Sequence, residues 1–257
     1  EGYTWATAYP ENFERPSSGD YGLWPSDEFS AWFVPVVADY LLFTGDTETV
    51  ADIYDAVKRN LDYCWSHVAS DGLFAQRPET ARGQGNDWDP ANRRIERVAY
   101  TNVLIYEALR RGAFIAGELG CSQDVAIFSK RARQMSKAIK THLWSNVTGD
   151  FVRTSESTEF SYQANALALA IGLPEPHQVE RIIAHLGRGH ATGKFRSLFA
   201  RGRFTYGDGE GALATLRGED GHWIDILNDR RGVQGATWES CIYPPVRPPG
   251  EGYRDMS

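Results

Sequence analysis

Cysteine, clustered positive charge and long apolar runs are scarce in this chain, and each scarcity excludes something. Three cysteines among 257 residues, Cys64, Cys121 and Cys241, are an odd number at spacings that fit no metal or redox motif, so a disulfide framework is excluded. Cys64 and Cys121 fall in apolar helical surroundings and read as buried thiols. No apolar run approaches the ~18 residues of a membrane span. No signal peptide opens the chain, which begins EGYTW without Met, as a processed or excised N-terminus would, and the compartment is left open. Lys and Arg total 27 against 34 Asp and Glu, a formal charge of -7, with no basic tract. Nucleic acid and anionic membrane are therefore poor partners, since both require a cationic footprint. P-loop, GxSxG and Cys–His patterns are lacking, which leaves phosphoryl transfer and triad hydrolysis without support. His67, His142 and His222 form no HxxxH or HxH pair and read as surface or core residues, so neither metal nor cofactor is expected.

What the chain does have is aromatics and helices. Eight Trp and 12 Tyr supply flat rings of the kind that stack on sugars. From Trp24 onward, helices that are apolar on most faces (roughly 27–43, 98–119 and 159–172) alternate with amphipathic ones (46–69, 122–143 and 176–187). Gly45 closes the first, Asp46 or Thr47 caps the second, and Pro35 predicts a kink or a start nearby. Hairpins with this inner–outer rhythm close into an all-α double-ring toroid, with a plain helical bundle as the other solution. GLFAQ (72–76) and GDFVRT (149–154) are short extended candidates, and Asn146-Val147-Thr148 is a glycosylation sequon. The segments 70–97 and 188–207, rich in Gly and Arg, read as long loops where a site could be built.

Three spots place an acid beside an indole at a loop–helix junction. In GNDWDP, Asp87 and Asp89 flank Trp88; the carboxylates could bind sugar hydroxyls while the ring stacks, or Asp87 could open an Asx-turn. In GATWESC, Glu239 follows Trp238, as a general base beside a platform or as an acid in the first turn of a helix capped by Thr237. In WPSDEFSAW, Asp27 and Glu28 open an inner helix between Trp24 and Trp32, where capping is the competing role. Glycoside hydrolysis is the chemistry that wants two carboxylates across a sugar with aromatic platforms around them.

DEFSAWFVPVVADYLLFTGD, the NDW loop, LGCSQDVAIFSKRARQMSKAIKTHLW, SYQANALALAIGL and GATWESC occur in an order that resembles the catalytic domain of α-L-rhamnosidases of glycoside hydrolase family 78, over about residues 24–245. The resemblance implies an (α/α)6 six-hairpin toroid, present in part, as a single domain over 1–257 with an irregular lead-in (1–23) and tail (244–257). It implies inverting, metal-independent removal of terminal α-L-rhamnose from glycosides and polysaccharides. By position, Glu239 matches the general base and Trp238 its platform, while Asp87 and Trp88 match a sugar-holding loop that includes Asp89. Asp87 is the first carboxylate to set opposite Glu239, and Asp27 and Trp32 match a further acidic-aromatic segment. The family's general acid lies in an RDR…W.GD segment that YPENFERPSSGDYGLWPSD does not reproduce, and about eight helices are counted where the ring needs twelve. The chain is thus expected to be incomplete at both ends. Another six-hairpin exo-glycosidase, or a sugar-binding remnant without the acid, are the alternatives.

Overall fold

A computed structural model of the protein describes residues 4–5, 25–75, 97–189 and 193–218. Within them, strands β1 (Thr4–Trp5) and β2 (Pro25–Ser26) pair antiparallel. Helices α1 (Asp27–Thr44), α2 (Thr47–Ser66), α3 (Ala99–Glu118) and α4 (Ser122–His142) follow. After the short strands β3 (Trp144–Ser145) and β4 (Asp150–Phe151) come α5 (Tyr162–Ala170), α6 (Pro176–Leu186), α7 (Gly193–Thr205) and α8 (Gly209–Arg217). The chain divides into two compact units, Glu1–Trp144 with Phe151–Glu159, and Ser145–Asp150 with Phe160–Ser257.

In the first unit α1 pairs with α2, α3 pairs with α4, and α1 lies against α3. Seven consecutive residues of α3, Ala99 to Ile105, are buried. A helix with one wet face cannot bury seven in a row, so α3 has an inner position. By contrast α4 buries Phe128, Ala132, Met135 and Ile139, a single stripe at spacings of three and four, and is an outer helix. The turn between α1 and α2 forms as expected. Gly45 takes φ 69°, a left-handed value that suits glycine, and Asp46 Oδ1 accepts from the Thr49 amide at 3.0 Å as N-cap. Pro35 lies inside α1 without ending it. The hairpins pack closely where Gly112 of α3 meets Leu61 of α2; a Cβ at Gly112 would come within 2.3 Å of Leu61 Cδ1. Cys64 is buried as read, whereas Cys121 is only half-buried, at the N-cap position of α4.

The second unit repeats the rhythm. All nine residues of α5 are buried, and α6 buries Val179, Ile182 and Leu186 only. Ser161 starts α5 by accepting from the Ala164 amide at 3.2 Å, three residues inside the expected boundary, because a serine oxygen can satisfy an amide there. The loop expected over 188–207 is corrected: α7 occupies most of it. Its glycines and arginines suggest a loop by propensity, but Phe195, Leu198, Phe199 and Gly202 recur at helical spacing, and all are buried. Tertiary packing of that face against α5 overrides the weak propensity. Gly202 is required by contact, since a Cβ there would sit 2.7 Å from Leu169 Cγ. With α8 packed on α7, α5–α6 and α7–α8 make a third and fourth hairpin. Where the expected strand 149–154 begins, buried Asp150 receives the Thr148 hydroxyl at 2.9 Å and lies 2.6 Å from His185 Nδ1 on α6.

Candidate functional site

The first turn of α1 carries two carboxylates, Asp27 and Glu28, only 1% and 2% exposed. Acids in a first turn suit the helix dipole, yet a capping role alone would leave them in water. Here each is engaged by a phenol from another helix. The Tyr63 hydroxyl, near the end of α2, donates to Asp27 Oδ1 at 2.8 Å. The Tyr100 hydroxyl, in the first turn of α3, donates to Glu28 Oε1 at 3.1 Å and accepts from Trp32 Nε1 at 3.1 Å. Trp32 lies one turn beyond Glu28 on α1 and is half-buried. The starts of α1 and α3 therefore meet, and the end of α2 meets them. The two inner helices supply two carboxylates, an indole and one phenol to this end of the unit, and α2 supplies the second phenol.

Asn102 fastens the connecting chain to that same end. Its Oδ1 accepts from the Phe74 amide at 2.8 Å, and its Nδ2 donates to Phe74 O at 3.1 Å and Val98 O at 2.9 Å. The side chain is fully buried, and these bonds satisfy both its oxygen and its amide group as burial demands. Phe74 also bridges Val68. On the returning side, Arg97 pairs with Asp71, Val98 bridges Thr154, and the Ala99 amide donates to Arg153 O at 2.9 Å. Both described ends of the 70–97 connection are thus anchored beside the Tyr100 turn.

Asp27 also bears on the thiol of Cys64. Burial above all, and then the charge of Asp27, push that thiol up to about 12 from its ordinary 9.0, which makes it inert near neutral pH. Among the described residues, no group of three or more His, Cys, Asp or Glu side chains could hold a metal ion. No helix among them is long and apolar enough to cross a membrane.

Of the residues singled out in the sequence, Asp27 and Trp32 lie in this cluster. Asp87, Trp88, Asp89, Trp238 and Glu239 fall outside the described residues. Sequence reasoning missed Tyr63, Tyr100 and Asn102 and gave Glu28 only a capping or opening role. The signal was faint: Tyr100 and Asn102 interrupt the apolar run AYTNVLIY with polar groups in a first turn, much as Gln163 and Asn165 do in SYQANALA.

The model of one protein family, described as the bacterial alpha-L-rhamnosidase 6 hairpin glycosidase domain, matches residues 4–196. Among solved structures, a rhamnosidase from Klebsiella oxytoca with rhamnose bound superposes with a TM-score of 0.68 at 17% identity, over 79% of this chain and 39% of its own. A glycoside hydrolase family 78 rhamnosidase of a Bacillus species gives 0.69 at 18% identity, over 83% of this chain and 23% of its own. At these identities the likeness shows the fold. Among curated proteins, an N,N'-diacetylchitobiose phosphorylase of Vibrio proteolyticus is 25% identical over 58% of this chain and 21% of its own length. The chain thus spans well under half of each of these relatives.

Proposed function

The chain belongs to the bacterial α-L-rhamnosidase six-hairpin glycosidase domain family, and from that premise we propose that it forms part of a hydrolase removing terminal α-L-rhamnose with inversion and without a metal. The observation that carries the reading is the buried acid–phenol–indole cluster at the start of the inner helices, in a chain of that family. Burial of two carboxylates is costly unless each is hydrogen-bonded. A cluster that bonds them and sets an indole alongside is a suitable wall for a polyhydroxylated ring.

In this proposal Glu239 is the general base for water, with Trp238 as its platform. Asp87 is the carboxylate assigned first to the opposite side, and Trp88, Asp89, Asp27 and Trp32 hold the sugar. Inversion requires the two carboxyls to stand ~6.5–9.5 Å apart, leaving room for water. We assign this chain weak sugar binding by itself and efficient turnover to the full-length gene product.

The test is a panel of nitrophenyl glycosides offered to both. Rhamnoside turnover by the full-length product, lowered roughly 10²–10⁴-fold by Glu239→Gln, is the expected result, because glutamine keeps the shape but takes no proton. Turnover of a different glycoside would favour another six-hairpin exo-glycosidase. Binding without turnover of any would favour a non-catalytic remnant. The phosphorylase relative gives one further reading, cleavage by phosphate instead of water. Turnover that depends on added phosphate and yields a glycosyl phosphate would replace hydrolysis with phosphorolysis.

A further inference from the structure

Overall the chain is acidic, but residues 125–149 contain no Asp or Glu and five Lys or Arg. The five do not form a run, so they escape notice as a tract; α4 sorts them by face. Arg131 turns toward α2, where it donates to Asp62 Oδ1 at 2.6 Å and lies over the Trp65 ring at 5.4 Å. Arg133, Lys137 and Lys140 instead line a groove of about 700 Å³ between α3 and α4, which Arg110 and Tyr106 of α3 complete. None of the groove's ten lining residues is acidic. Arg110 is met by Glu107 at 2.9 Å, whereas Arg133 and Lys137 have no ion pair among the described residues. The helix dipole accounts for Lys140, in the last turn of α4, but not for Arg133, about two turns earlier.

From these observations we infer that the α3–α4 groove binds an anionic saccharide, with Arg133, Lys137 and Lys140 taking its negative charges. A cleft lined by one sign of charge focuses its field on a ligand of the other sign. At ~1.5 Å per residue, Arg133 to Lys140 spans about 10 Å, room for an extended ligand with more than one carboxylate or sulfate. Ser129, Ser136 and Thr141 add hydroxyls, and half-buried Tyr106 adds an apolar ring, the pair of features that a sugar uses. The saccharide half of the inference rests on the glycosidase reading above; the anion half does not.

The experiment is a calorimetric titration of the chain with a uronate tetrasaccharide, a neutral tetrasaccharide and inorganic phosphate. Expected is saturable uronate binding that weakens with salt and falls tenfold or more in the double variant Arg133→Glu, Lys137→Glu. Neutral sugar and phosphate should bind far more weakly. Both side chains are exposed, so the unfolding midpoint should hold; the milder Arg133→Ala, Lys137→Ala pair, with a smaller loss, guards against misfolding. Equal binding of the neutral sugar, binding of phosphate alone, or indifference to both double variants would overturn the inference. No arm uses turnover, so uronate binding by the chain together with a full-length product inactive on every glycoside would defeat the hydrolase reading and leave the anion site standing.

Discussion

The Tyr100 hydroxyl donates to the buried carboxylate of Glu28 across 72 residues of sequence. Through that bond the first turns of α1 and α3 are fixed to one another, and Trp32 is held by its indole N–H on the same oxygen. Tyr100→Phe removes one donor to Glu28 and the acceptor for Trp32 while keeping the ring. A hydrogen bond to a charged group is worth roughly 1.5–3 kcal/mol, so denaturant unfolding should show a loss of about that size. If the proposed hydrolase reading holds, kcat/KM for a rhamnoside should fall as well in the full-length product. Unchanged stability and turnover would mean that the phenol merely fills space.

Asn102→Ala should cost about 2–4 kcal/mol, because three bonds to backbone groups are lost and buried amide and carbonyl groups are left without partners. The local signature is faster hydrogen exchange at the Phe74 amide, which Asn102 accepts. Asn102→Asp keeps the acceptor and should preserve that protection better than alanine does. Equal protection in wild type and Asn102→Ala would sink the assignment of Asn102 as the anchor of this connection.

Gly202→Ala should destabilise the second unit by about 1–3 kcal/mol through overpacking. The added methyl would meet Leu169 Cγ at 2.7 Å and Cβ at 2.8 Å, atoms close to the α5 backbone that cannot swing aside. Thermal unfolding decides it. A neutral or raised midpoint would show that α7 does not press on α5 as described.

Cys64 should resist thiol reagents at pH 8 in a variant carrying Cys121→Ser and Cys241→Ser, reacting only as fast as the protein unfolds. Its proton also links stability to pH. Between 9.0 and about 12 the unfolded chain has lost the thiol proton and the folded chain keeps it. Stability therefore falls as pH rises through that window, and the thiol's contribution is fully present below it. Cys64→Ala should remove that component of the alkaline slope. Rapid labelling of the folded protein at pH 8 would contradict the burial.

The hairpin rhythm was legible in the sequence because it is a matter of local period. Val50, Tyr54, Val57 and Leu61 recur every three or four residues, whereas α3 and α5 are apolar on nearly every face. Gly45 and Asp46 marked a helix end and the next start by chemistry that acts within four residues. The helix at 193–205 was not legible, since its own residues argue weakly for helix and its packing against α5 and α8 stabilises it.

For the site, the sequence by itself determined that acids and indoles stand at loop–helix junctions, and it supplied the family resemblance that ranks them. Only the tertiary structure decided that Asp27 and Glu28 are buried and bonded, and that the bonding groups are Tyr63 and Tyr100. No local pattern pairs residues 36 or 72 positions apart. The same holds on the opposite account of charge: Arg131, Arg133, Lys137 and Lys140 look alike along the chain. The helix's 3.6-residue turn sends the first to Asp62 and the others into one groove. Which partner a charge meets is set by the face it occupies and by what packs there, and that is information a linear sequence holds only after it has folded.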